Sequence, residues 1–243
     1  EAYGPSREAA LRRAQRGLEE RTTLWEDHST WETAWRVESP RYVVRTTRGH
    51  WFGRLLADSL ESMWPRFQDL LAPGFEPSGK LPVYVFPDIP SYNAFGDANA
   101  AEHSSFYGSY YAQQDAARPV AASFTDNLVQ MRMFVTHAAT HQFLDRAFTT
   151  QPPTWVSEGL ASYFELQWSY EWGVSEFERL RDAGRLLPLR QLLAAQMPQY
   201  TAQTHERFMQ LGMLYYYLLF FREDTRTVKD GDVLLQAPFG DYL

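Results

Sequence analysis

Two histidines four residues apart, His137 and His141, stand in the stretch FVTHAATHQF at 134–143. In a helix they project from one face. Two imidazoles at that spacing can bind one metal ion through adjacent coordination positions. The spacing alone equally describes two ordinary helix histidines. A carboxylate, Glu158, follows in the first turn of PPTWVSEGLASYFE at 152–165, directly before Gly159. Glycine is a poor helix former, so its place inside a helix implies a close helix–helix approach. Two antiparallel helices with a short link would bring Glu158 back over the histidines. That makes a two-histidine, one-glutamate set with a fourth position open to water, the pattern of catalytic zinc. Taken alone, Glu158 is also what the N-terminus of a helix favours.

Two further carboxylates are placed to support such ligands. Glu165 lies on the same helical face as Glu158, and Asp145 lies one turn after His141. Either can accept the free N–H of a ligating imidazole and fix its tautomer. Either can also be a solvated or salt-bridged surface acid.

The elements that must position these groups are legible from periodicity. A charged helix is expected within 1–28. ESPRYVVRTT (38–47), KLPVYVF (80–86), SSFYGSYYA (104–112) and RPVAASF (118–124) read as strands. HWFGRLLADSLESMWPRFQDLLA (50–72) has helical spacing, with a break or kink expected at Pro65. A short helical piece is expected near Ser91–Phe95. Asn127 with Gln130 forms a capping box for a helix over 128–148, apolar around most of its circumference and therefore buried. Thr154 is placed to cap the next helix, to about Trp168, and further helices are expected near 175–183, 188–196 and 204–222. The plan is α+β: one domain over 1–243, with a small mixed sheet at about 30–150 and a mainly helical part at 151–243.

The motif THAATHQFL…PPTWVSEGLASYFE resembles the gluzincin metallopeptidases, the peptidase-MA-like group that includes the aminopeptidase-N and leukotriene-hydrolase relatives. Their pattern, H-E-x-x-H followed by W-[LV]-x-E-G-x-A-x-Y-x-E, is matched at His137, His141, Trp155, Glu158, Gly159, Ala161, Tyr163 and Glu165. The resemblance implies a zincin-like fold and zinc held by His137, His141 and Glu158. It also implies hydrolysis of a peptide or protein substrate by metal-activated water. One position departs. Ala138 stands where the family has the glutamate that serves as general base. The intact ligands and flanking pattern favour a replaced glutamate in an otherwise functional site. The alternative is a natural pseudopeptidase that binds peptides without cleaving them.

The resemblance further implies a later hydroxyl that stabilises the oxyanion, and a sheet edge that binds substrate as an added strand. Phe208 aligns near the hydroxyl position, with Tyr215, Tyr216 and Tyr217 as neighbours; of these Tyr216 is the candidate, and core packing is the competing reading. SSFYGSYYA is the candidate edge, with Tyr107, Gly108 and Tyr110 nearest the substrate. His103 reads as a surface residue.

Composition narrows the remaining classes. Among 243 residues there is no cysteine, which excludes disulfide scaffolds, thiol catalysis and thiolate-bound zinc. A net charge of −7 and a pI near 5.4 argue against a nucleic-acid partner. No apolar run reaches the roughly 18 residues of a membrane span. The chain opens on Glu1 rather than Met; a cleaved export signal and a simple truncation both produce such a start, and export to a periplasmic or secreted location is the expectation.

Overall fold

The hairpin Trp35–Glu38 (β1) and Tyr42–Thr46 (β2) starts the sheet. Where the sequence suggested one strand over 38–47, Pro40 cannot continue a ladder, and the chain turns at 39–41. The turn is closed by Ser39 N–H donating to the Tyr42 carbonyl at 2.9 Å. Its polar groups are collected by Glu61, which accepts from the Ser39 hydroxyl (2.8 Å), the Arg41 amide (2.6 Å) and the Arg41 guanidinium (3.0 Å). This computed structural model describes residues 27–99, 109–111, 118–150, 152–194 and 202–221. The helix expected at the N-terminus, apart from its last two residues, lies outside them, as do His103, Tyr107 and Gly108.

Glu61 belongs to α1, His50–Leu70. The helix runs through Pro65 without a break, because Met63, Trp64 and Phe67 around it are buried and hold both halves to the core. From α1 the chain enters β3 (Leu81–Phe86), parallel to β2. α2 (Ile89–Asn99) follows, then β4 (Ser109–Tyr111) and β5 (Val120–Ser123). The five strands lie in the order β1-β2-β3-β5-β4, with parallel pairs in the centre and an antiparallel pair at each side. The fold is α+β: a small mixed sheet, then helices.

Strand alternation divides the sheet's two faces. Tyr42, Val44, Val83, Val85, Val120 and Ala122 bury into the main core beneath α1 and the next helix, α3 (Leu128–Ala147). Phe86, Ala121 and Tyr92 form a smaller cluster with α2 on the opposite face. Within the main core, aromatic rings link the helices. Trp64 packs on Phe143 at 5.0 Å and Phe67 on Phe164 at 4.6 Å, edge to face, which joins α1, α3 and α4 (Thr154–Leu166). Each such fully buried ring stabilises the fold by about 2–3 kcal/mol relative to exposure.

α3 is the helix that carries the histidines, and it is fixed at both ends. Asn127 Oδ1 caps it by accepting from the amides of Val129 (3.0 Å) and Gln130 (3.1 Å). Near its C-terminal end the buried Gln142 donates to the carbonyls of Pro82 (3.1 Å) and Arg118 (2.9 Å), tying the helix to the strand starts. Arg118 takes a left-handed φ of 49° there, a conformation that costs a non-glycine residue about 1–2 kcal/mol. α3 offsets this by holding both the Arg118 carbonyl, through Gln142, and its guanidinium, through Asp145 at 2.6 Å.

The link of Pro152 and Pro153 reverses the chain into α4. Thr154 is the first helical residue and not the cap; Pro153 holds the cap position, its carbonyl accepting from Ser157 N–H at 3.1 Å. α5 (Tyr170–Asp182), α6 (Leu189–Ala194) and α7 (Ala202–Tyr216) follow, and α7 runs on as a short π-helical turn at Tyr217–Phe221. α7 packs antiparallel on α4 through two glycines. A Cβ on Gly159 would collide with the Tyr215 ring, and one on Gly212 would lie 3.0 Å from the Ser162 Cβ. Among the described residues no helix is long and apolar enough to cross a membrane.

Candidate metal centre

α3 and α4 are antiparallel neighbours, and this brings the three sequence-separated donors together. His137 and His141, one turn apart on α3, present their Nε2 atoms 3.3 Å from each other. Glu158 Oε2, from the first turns of α4, stands 3.4 Å from each of them. Among the described residues these three form the one group of histidines and acids close enough to hold a metal ion. Their side chains are 17–21% exposed, so the site is recessed but open to solvent.

The triangle has the dimensions of a coordination shell. Zinc bonds to imidazole nitrogen and carboxylate oxygen are about 2.0–2.2 Å, which puts two ligands of a tetrahedral ion about 3.3–3.6 Å apart. The observed 3.3, 3.4 and 3.4 Å match this spacing. The donor set therefore fits a metal ion.

Glu165, two turns along α4 from Glu158, reaches the other side of His137. Its Oε2 lies 2.8 Å from Nδ1. With Nδ1–H donating to a carboxylate, the lone pair of the imidazole is left on Nε2, which faces Glu158 and His141. Such partners orient a ligating histidine and raise its basicity. Asp145 is engaged elsewhere: it accepts from Arg118 at 2.6 Å. The ring of Phe208, from α7, packs on His137 with centroids 5.4 Å apart and brings no hydroxyl.

Without a metal, the charges of the cluster must compensate one another. Burial works against a proton on His137, but the Glu158 and Glu165 carboxylates outweigh it and hold the imidazole up at about 10. Burial also works against the charge on Glu158, and the two histidines reverse this, holding its carboxyl well below the ordinary range. A cation held by His137, His141 and Glu158 would take the place of that histidine proton.

The other candidates divide. Ala138 is on α3 beside His137, 1% exposed, a methyl with no proton to give or take. Tyr216 is buried against Tyr163 and Tyr170, and its hydroxyl receives Gln167 Nε2. Tyr215 fills the space over Gly159, and Tyr217 is exposed. Tyr110 lies in β4, a sheet-edge strand, in register with Ala121 of the α2 face; its neighbour Tyr111 is in register with Val120 of the α3 face. The sequence reading missed one contact to α3: Trp168 Nε1–H donates to Thr136 Oγ1 at 2.7 Å.

No protein-family model matches this chain, and no curated protein matches its sequence.

Proposed function

We propose that this chain is a zincin-like metallopeptidase domain of the gluzincin type, with zinc held by His137, His141 and Glu158. The observation that carries the reading is the donor triangle of 3.3, 3.4 and 3.4 Å.

A zinc ion in this site supplies Lewis-acid activation of water and of a peptide carbonyl. The residues of the chain do the rest. Glu165 keeps His137 oriented, and Glu158 balances the charge of the site. The β4 edge, which lies beside α3, supports a substrate backbone as an added strand. Position 138 would carry the general base, and as alanine it leaves a site that binds metal and peptide but turns over poorly.

Ala138 itself favours a second reading, a pseudopeptidase that binds peptides without cleaving them. Ala138→Glu separates the two. On a diverse peptide library, the first reading expects hydrolysis to rise by about 10²–10⁴-fold, the usual contribution of a positioned general base. A zinc-loaded Ala138→Glu protein with no gain on any peptide would favour the binding module.

A further inference from the structure

His137 and His141 are each preceded by a fully buried threonine, Thr136 and Thr140. The two threonines form a second row on α3, turned about 100° from the histidine row. They are joined to each other, since Thr140 Oγ1 donates to the Thr136 carbonyl at 2.9 Å. Thr136 Oγ1 in turn accepts from the indole N–H of Trp168, at 2.7 Å.

Trp168 follows α4 directly, and its amide donates to the Glu165 carbonyl at 3.2 Å, so it extends the helix that carries Glu158 and Glu165. Its ring is held on the other side by Arg132, whose guanidinium carbon lies 5.1 Å from the ring centroid. Arg132 is itself fixed to α1 by donating from Nε to the Ser59 hydroxyl at 3.1 Å. The indole is thus seated between Arg132 and Thr136, one turn apart on α3.

The α3–α4 pair meets through side-chain hydrogen bonds or ion pairs at Glu158, Glu165 and Trp168. The first two involve the histidines, whose own positions must be set. The Trp168–Thr136 bond touches neither ligand. A slip of one residue between the helices would move Glu158 by about 1.5 Å along the axis, whereas metal bonds tolerate about 0.2 Å. Something other than the ligands has to fix the register, and a bond of 2.7 Å between neutral groups, accepted by a fully buried threonine, is suited to that task.

We propose that Trp168 is a positioning residue for the metal centre: by bonding Thr136 it sets the register of the glutamate helix on the histidine helix, and with it the affinity and geometry of the bound ion. This rests on the metal reading of His137, His141 and Glu158.

The test uses Co²⁺ as a spectroscopic probe, titrated into the otherwise unaltered protein and into Trp168→Phe, Thr136→Val, their combination, and Thr136→Ser. Trp168→Phe keeps an aromatic ring under Arg132 and removes the donor. Thr136→Val removes the acceptor, and Thr136→Ser keeps it. Trp168→Phe and Thr136→Val are each expected to weaken Co²⁺ binding by about 3- to 10-fold, the net value of one hydrogen bond. Both are also expected to shift the visible absorption of the bound ion. The combination should lose no more than the larger single effect, because both remove the same bond. Thr136→Ser should bind as the unaltered protein does. Unchanged affinity and spectrum in the single variants, with only a lower melting temperature of the metal-free protein, would overturn the proposal and leave a merely structural bond; so would losses that simply add in the combination. If the unaltered protein takes up no Co²⁺ or Zn²⁺, the metal reading itself fails, and the role of Trp168 with it.

Discussion

Oε2 of Glu165 lies 2.8 Å from Nδ1 of His137, on the opposite side of the ring from the Nε2 that faces Glu158 and His141. One carboxylate therefore decides which nitrogen of His137 is free to bind. Removing such a partner costs about 10- to 100-fold in metal affinity. Glu165→Ala is expected to fall in that range, and Glu165→Gln, which keeps an acceptor, to lose less. Competition against a chromophoric chelator measures both, and equal affinity in all three proteins would remove Glu165 from the account.

Metal binding should depend on pH in a definite direction. The two neighbouring carboxylates raise His137 to about 10, so at neutral pH the metal-free site carries a proton that a cation must displace. Apparent zinc affinity should then rise by about tenfold per pH unit between pH 7 and 9, one proton being released. Calorimetric titration in buffers of different ionisation enthalpy counts the protons directly. A pH-independent affinity would contradict the compensated His137–Glu158–Glu165 cluster.

The same shift predicts how metal-free stability varies. His137 has a folded value near 10 and an ordinary value of 6.5, so its contribution is fully present below 6.5 and is lost as pH rises through 10. Glu158, held below its ordinary 4.5, contributes above 4.5 and loses that contribution as pH falls below it. The metal-free melting temperature should therefore decline from pH 6.5 toward 10, and saturating zinc should flatten the decline. Differential scanning calorimetry with and without chelator provides both curves.

Gly159 and Tyr215 make a prediction independent of metal. A methyl at 159 would overlap the Tyr215 ring, which is 1% exposed, so ring or helix would have to shift. Gly159→Ala should destabilise the protein by about 1–3 kcal/mol, the usual cost of overpacking, despite alanine's better helix propensity. Chemical denaturation would show this, and a stabilised variant would mean that α4 and α7 are less closely packed than described.

The cluster of His137, His141 and Glu158 was legible in the sequence because its parts are local. The i, i+4 histidines and the Glu158–Glu165 spacing each follow from helical periodicity, and the double proline at 152–153 makes the two helices antiparallel. Gly159 signalled a close approach for the same reason. What stayed hidden depends on partners distant in the chain. Asp145 was a candidate support for a histidine, but the strand-leading Arg118, held in a left-handed conformation, occupies it. Pro65 read as a break, yet burial of Trp64 and Phe67 on both sides of it keeps α1 whole. Ser39-Pro40-Arg41 looked like part of one strand until Glu61, from α1, supplied acceptors for a turn. Trp168 gave no local sign of bonding to Thr136, since only the packing of α4 on α3 makes them neighbours.

The central claim is that His137, His141 and Glu158 form a zinc site, and metal analysis of the purified protein tests it most directly. After zinc-replete purification, mass spectrometry of the metal content should give about one zinc per chain, falling to near zero in Glu158→Ala together with His141→Ala. Less than about 0.2 zinc per chain in the unaltered protein, or equal content in the double variant, would contradict it.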